Sequence, residues 1–184
     1  MANFEKIKQD IQEYFGGRGK IFEHNPGIVG DLSKPKSMGL FFCIKTKDEL
    51  SEIRKLLRKI KDRRSNLVAY VFAHSRERVD VITDQAIVYF DLNDFTLLGK
   101  KKEQIHRIFE KDRPELFISF VPKPDPFCYK LASEIHADFK VGPNTDGMSE
   151  IFNLVLDVDE NDFNYIQFYE QVRHYLSVLN IKTR

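Results

Sequence analysis

Five side chains suited to holding or transforming a ligand stand where strands of this sequence should end. They are Lys45 and Thr46 after Met38–Ile44, His74 after Leu67–Ala73, and Lys123 and Asp125 after Leu116–Phe120. Ammonium and hydroxyl groups so placed can grip an anionic or hydroxylated molecule, and a histidine can move a proton near neutral pH. In an open parallel sheet, ligands sit at the carboxyl ends of the strands, at the switch point where strand order reverses. If the first strand is central and the fourth lies beside it, Lys45, Thr46, Pro122, Lys123, Pro124 and Asp125 line that crevice.

Other groups invite chemistry and have plainer readings. Residues 54–64 carry Arg54, Lys55, Arg58, Lys59, Lys61, Arg63 and Arg64, a density that could bind nucleic acid or another anionic surface by releasing counterions. No aromatic motif of the RNA-binding kind interleaves these charges. The chain's net charge is only +1, although residues 1–64 carry +6 and the rest −5. A solvated helix face is the simpler reading, which argues against nucleic acid as a partner. Asp157-Val158-Asp159 resembles the DxD metal motif of GT-A glycosyltransferases, but Asp159, Glu160, Asn161 and Asp162 read more simply as a cap for the last helix.

Several classes drop out. Gly17-Arg18-Gly19-Lys20 follows an expected helix and lacks P-loop spacing. A dinucleotide site is disfavoured because the helices after the first and fourth strands open with Thr46, Asp48 and Glu49, and with Asp125. Such residues occupy the free N–H groups and repel an anion. No HExxH or GxSxG occurs, and His74 reads as a loop residue. Cys43 and Cys128 lie 85 positions apart with no CxxC, so they read as an inert buried thiol and a helix cysteine without an activator. The expectation is therefore no metal, no cofactor, and the reducing cytoplasm as location. No signal peptide and no apolar run long enough to span a bilayer is visible.

The elements that must position these residues follow from periodicity. Phe4, Ile7, Ile11 and Phe15 predict an amphipathic helix over 1–15. Residues 16–36 hold five of nine glycines and two of seven prolines, which predicts a connector without regular structure. From 37 to 184, apolar runs at 38–44, 67–73, 86–90, 116–120, 139–141 and 151–158 predict strands. Helices are expected to about Lys61, over 101–111, from Asp125, and over 162–179. The whole chain reads as one α/β domain: a three-layer, Rossmann-like, mostly parallel sheet of five or six strands with helices on both faces. The connections between the second and third strands and between the fifth and sixth lack a clear helix, so both are irregular crossovers or one strand of each pair runs antiparallel at an edge. Tyr165 and Phe168 are left over for an interface, which keeps a homodimer open.

Two resemblances accompany this reading. The Met38-Gly39-Leu40-Phe41-Phe42 strand before a basic helix, Leu116–Ser119, the Ala137–Gly142 element and the Gln171–Leu176 helix resemble an uncharacterised bacterial family, a domain of unknown function. Leu116–Phe120, the helix after it and Phe139-Lys140-Val141-Gly142 are similar in order to the N-terminal Rossmann-like half of heptosyltransferase-type GT-B glycosyltransferases. That likeness covers about a third of the chain and implies an acceptor-side half without a donor site. With no catalytic constellation in view, the sequence leans away from an enzyme and toward a non-catalytic binding or protein-interaction module for an unidentified protein or small ligand. The competing expectation is a glycosyltransferase-like or other small-ligand enzyme using Lys45, His74 and Lys123, and the third is RNA or anionic-surface binding through the basic helix.

Overall fold

A computed structural model describes residues 19–21, 31–61, 66–75, 87–95, 102–123, 125–145 and 150–182. The helix expected over 1–15 lies outside them. Six strands form the body of the sheet: β2 (Ser37–Ile44), β3 (Asn66–Ala73), β4 (Ile87–Asp91), β5 (Leu116–Ser119), β6 (Phe139–Pro143) and β7 (Leu154–Leu156). All six run parallel. A short β1 (Gly19–Ile21) joins β7 antiparallel, so regular structure does enter the stretch read as a bare connector. The spatial order is β1-β7-β6-β5-β2-β3-β4. Counting the parallel strands alone, this is the doubly wound 3-2-1-4-5-6 order, which reverses between β2 and β5. The antiparallel alternatives are corrected: β4 runs parallel to β3, β6 parallel to β5, and β7 parallel to β6.

Among the described residues four α-helices cover the sheet: α1 (Lys47–Lys61), α2 (Glu103–Lys111), α3 (Pro126–Glu134) and α4 (Tyr165–Lys182). Strand side chains alternate between faces, and the two cores follow that alternation. Leu40, Phe42, Ile44 and Val71 pack under Ile53, Leu56 and Ile60 of α1 and Phe168, Val172 and Leu176 of α4. Phe41, Tyr70, Phe72 and Phe117 pack under Ile105 and Phe109 of α2 and Cys128 and Leu131 of α3. The Lys59 ammonium, 2.9 Å from Glu170, ties α1 to α4. No helix among the described residues is long and apolar enough to cross a membrane.

Two boundaries differ from the sequence reading. The last strand is confined to Leu154–Leu156. Before it, Asn153 donates its N–H to Lys140 O at 2.8 Å and accepts the Lys140 N–H on its side chain at 2.7 Å. The last helix starts at Tyr165 rather than 162, because the Asn164 side chain accepts from the N–H groups of Ile166 and Gln167 at 2.9 and 3.0 Å. Asp159 instead closes a local turn onto the Asn161 N–H at 2.9 Å, and Asp157 accepts from the Asn144 side chain at 2.6 Å. Phe168 is core, stacked edge-on to Phe120, and is not left for an interface.

Candidate functional site

The reversal of strand order opens a cleft between the carboxyl ends of β2 and β5, and a cavity of about 420 Å³ occupies it. Cys43, Lys45, Glu49 and Glu52 form one side, and Val121, Pro122, Lys123 and Asp125 the other. Phe163, Asn164, Tyr165 and Ile166 close it at the start of α4. Lys45, Lys123 and Asp125 therefore stand where the sequence expected a crevice. Thr46 is exposed at the N-cap of α1 and does not line the cavity, and Pro124 lies outside the described residues.

Both helices that open onto the cleft are closed by acids. Glu49 reaches back to accept from the Thr46 N–H at 3.2 Å and its hydroxyl at 3.0 Å, one half of a capping box. Asp125 Oδ1 accepts from the N–H groups of Phe127 and Cys128 at 3.0 and 2.9 Å, and Pro126 begins the helix without needing a partner for its nitrogen. A phosphate approaching either terminus meets a carboxylate where free N–H groups would be needed.

Tyr165 supplies the aromatic wall. Its ring stands edge-on to Phe42 at 5.4 Å and Phe120 at 6.0 Å, which fixes it over the ends of both central strands. Burial, reinforced by the Glu49 carboxylate, pushes its hydroxyl well above the ordinary phenol range, so it stays neutral.

His74, Cys43 and Cys128 are brought together by strand register. Cys43 pairs with Phe72 across β2 and β3, so both project toward α2 and α3. His74, two residues beyond Phe72, leaves the strand with its N–H on Ile44 O at 3.1 Å. Its ring is exposed, rests near Phe72 and Phe127, and sets Nδ1 3.5 Å from Asp125 Oδ2. Both thiols are free, and the neighbouring Cys43 thiol, together with burial, pushes the Cys128 thiol far above its ordinary range. The 85 positions of sequence between the two cysteines are bridged because α3 begins where β5 ends, beside β2. Cys43 is half-buried, not sealed in the core.

None of the described residues of the basic run lines this cleft. Arg54 is half-buried and Lys55, Arg58 and Lys59 are exposed, with Lys55 2.7 Å from Glu52. Lys61 ends the helix, and Arg63 and Arg64 fall outside the described residues.

Besides Cys43, the lining residues that sequence reasoning did not place in the crevice include Glu52, Phe163, Tyr165 and Ile166. The signal was Asn164, two positions before Ile166. As a helix cap it fixes where α4 begins and hence which aromatic residues overhang the sheet.

A model of a family of unknown function (DUF6913) matches residues 21–179. No curated protein and no solved structure matches the chain, so the likeness to heptosyltransferase-type glycosyltransferases has no relative behind it. The chain belongs to the DUF6913 family.

Proposed function

We propose that this DUF6913 member is a binding domain that takes a small molecule in the cleft between the ends of β2 and β5, rather than a catalyst. The observation that carries the reading is the cavity of about 420 Å³ at the strand-order reversal. Its size falls in the ~300–1,000 Å³ range of small-molecule sites, and its position is the one doubly wound sheets use for ligands.

The lining favours one ligand chemistry over others. Lys45 and Lys123 offer cations, Glu49 and Glu52 offer anions, and Phe163, Tyr165 and Ile166 offer an apolar wall. A zwitterion with an apolar part, such as an amino acid or short peptide, matches all three. The acid-capped helices disfavour a nucleotide, whose phosphates need free N–H groups.

Thermal unfolding of the full chain against amino acids, dipeptides, nucleotides and sugar nucleotides tests this. A ligand at 100 times its Kd adds about 2.7 kcal/mol, or ~5–10 °C in Tm for a chain of this size. The expected result is a shift with a zwitterionic compound that Lys45→Ala and Lys123→Ala both reduce. A flat panel at millimolar concentrations, or a shift indifferent to both substitutions, refutes the reading.

A further inference from the structure

The small-ligand reading leaves one group of side chains unused. One donor atom each from Cys43, His74 and Asp125 lies within 4.8 Å of the other two. We propose that these three side chains form a site for a thiophilic divalent metal ion of the zinc class, with an open coordination position facing the cleft. The inference stands on the three donors alone and does not depend on what the cavity binds.

The donor set is selective. A thiolate, an imidazole and a carboxylate together suit Zn²⁺ and its thiophilic neighbours, whereas Mg²⁺ and Ca²⁺ take oxygen ligands. The separations are near what coordination needs. Tetrahedral bonds of ~2.0–2.1 Å to nitrogen and oxygen put those donors ~3.3–3.4 Å apart, and a bond of ~2.3 Å to sulfur puts it ~3.6 Å from either. His74 Nδ1 and Asp125 Oδ2 already stand at 3.5 Å. The Cys43 sulfur lies within 4.8 Å of the other two donor atoms, a gap that metal binding would close.

Preparation of the donors is visible in their partners. The two N–H bonds to Asp125 Oδ1 fix the carboxylate and leave Oδ2 turned to His74. A ligating carboxylate held by hydrogen bonds is a recurrent feature of metal sites. Binding replaces the Cys43 thiol proton by the metal and releases that proton to solvent, with no change of oxidation state.

The same three residue types also make a Cys–His–Asp relay, and geometry separates the two. In a relay the nucleophile and the carboxylate bond to opposite nitrogens of the imidazole, which puts them on the order of 7 Å apart. Here the Cys43 and Asp125 donors are within 4.8 Å of each other, converging on one point.

The test is titration of the reduced full chain with Co²⁺ and then Zn²⁺, read by absorption and calorimetry. Expected are one equivalent of Co²⁺ with a thiolate-to-cobalt charge-transfer band, displaced by Zn²⁺. Cys43→Ser should abolish that band, and His74→Ala and Asp125→Asn should each weaken binding at least tenfold. Each variant is first checked for native circular dichroism. Because His74 is exposed, His74→Ala keeps the proposal testable even if a cysteine variant fails to fold. No binding up to millimolar metal, a cobalt spectrum without the sulfur band, or binding lost in His106→Ala instead would overturn it, the last because His106 and Glu110 form an exposed pair at 3.2 Å. None of these outcomes bears on ligand binding at Lys45 and Lys123, so the two readings fail separately.

Discussion

Replacing Asp125 separates its work as a helix cap from its work as a charge. In Asp125→Ala the N–H groups of Phe127 and Cys128 lose their acceptor, and the first turn of α3 loses its anion. A lost aspartate cap costs about 1 kcal/mol within a range of ~0.5–2. The charge at a helix N-terminus adds ~0.3–1 kcal/mol. The His74 pair adds at most a few tenths of a kcal/mol, because the His74 side chain is 42% exposed and water screens it. The total is ~1.5–2.5 kcal/mol, or ~3–10 °C in Tm. Asp125→Asn keeps the acceptor and gives up only the charge, so it should cost about 1 kcal/mol or less. Urea unfolding of the three proteins measures both values. The reasoning is refuted if Asp125→Ala unfolds within ~0.5 kcal/mol of the parent, since a frayed α3 would expose buried Cys128 and Leu131. It is equally refuted if the asparagine variant falls as far as the alanine one.

Gly142→Ala should destabilise by ~1–3 kcal/mol, because a Cβ there would lie 2.5 Å from two ring carbons of buried Phe152. Phe152→Leu in the same chain should recover part of that loss, and strict additivity of the two in denaturant titrations would contradict the clash. Burial lowers the Lys140 ammonium to about 8 from 10.5, so between those values the folded state binds fewer protons than the unfolded one and stability should rise with pH. Lys140→Met should flatten that rise in urea midpoints taken from pH 7.5 to 10.5, and an unchanged slope refutes it. Tyr70→Phe removes the hydroxyl that donates to Asp112 at 3.0 Å and should cost ~1–3 kcal/mol by urea unfolding, as for a hydrogen bond to a charged group; no loss would assign that bond no net stability.

The fold was legible where apolar runs were continuous. Residues 38–44 read as a strand buried on both faces, 67–73 as a second strand, and the seam Leu50, Ile53, Leu56, Leu57, Ile60 as a helix packed on them. What failed to read were features set by polar side chains acting on the backbone. Asn153 pairs with Lys140 in place of a strand residue and shortens β7, while Asn164 rather than Asp159 or Asp162 starts α4. Asparagine and aspartate look interchangeable as caps in sequence, and only geometry decides which side chain reaches the N–H groups. β1 escaped because three residues in a glycine-bearing stretch carry no period of their own; β7 supplies their partners.

Half of the site was legible for a topological reason. Strand ends can be read from sequence, so Lys45, His74, Lys123 and Asp125 could be placed at the sheet's carboxyl edge, but not which strands stand side by side. Adjacency decides the chemistry here. With β5 beside β2, Asp125 at the head of α3 meets both Cys43 and His74; had β5 joined the outer edge at β4, the same residues would be separate loop groups. Long separations in sequence hide such sites most completely when one connection crosses from the edge back to the centre of the sheet, as the segment carrying α2 does between β4 and β5. A cysteine, a histidine and an aspartate with no shared motif can therefore share one site in a doubly wound chain when each follows or ends a strand next to the reversal, because that is where parallel strands converge their termini.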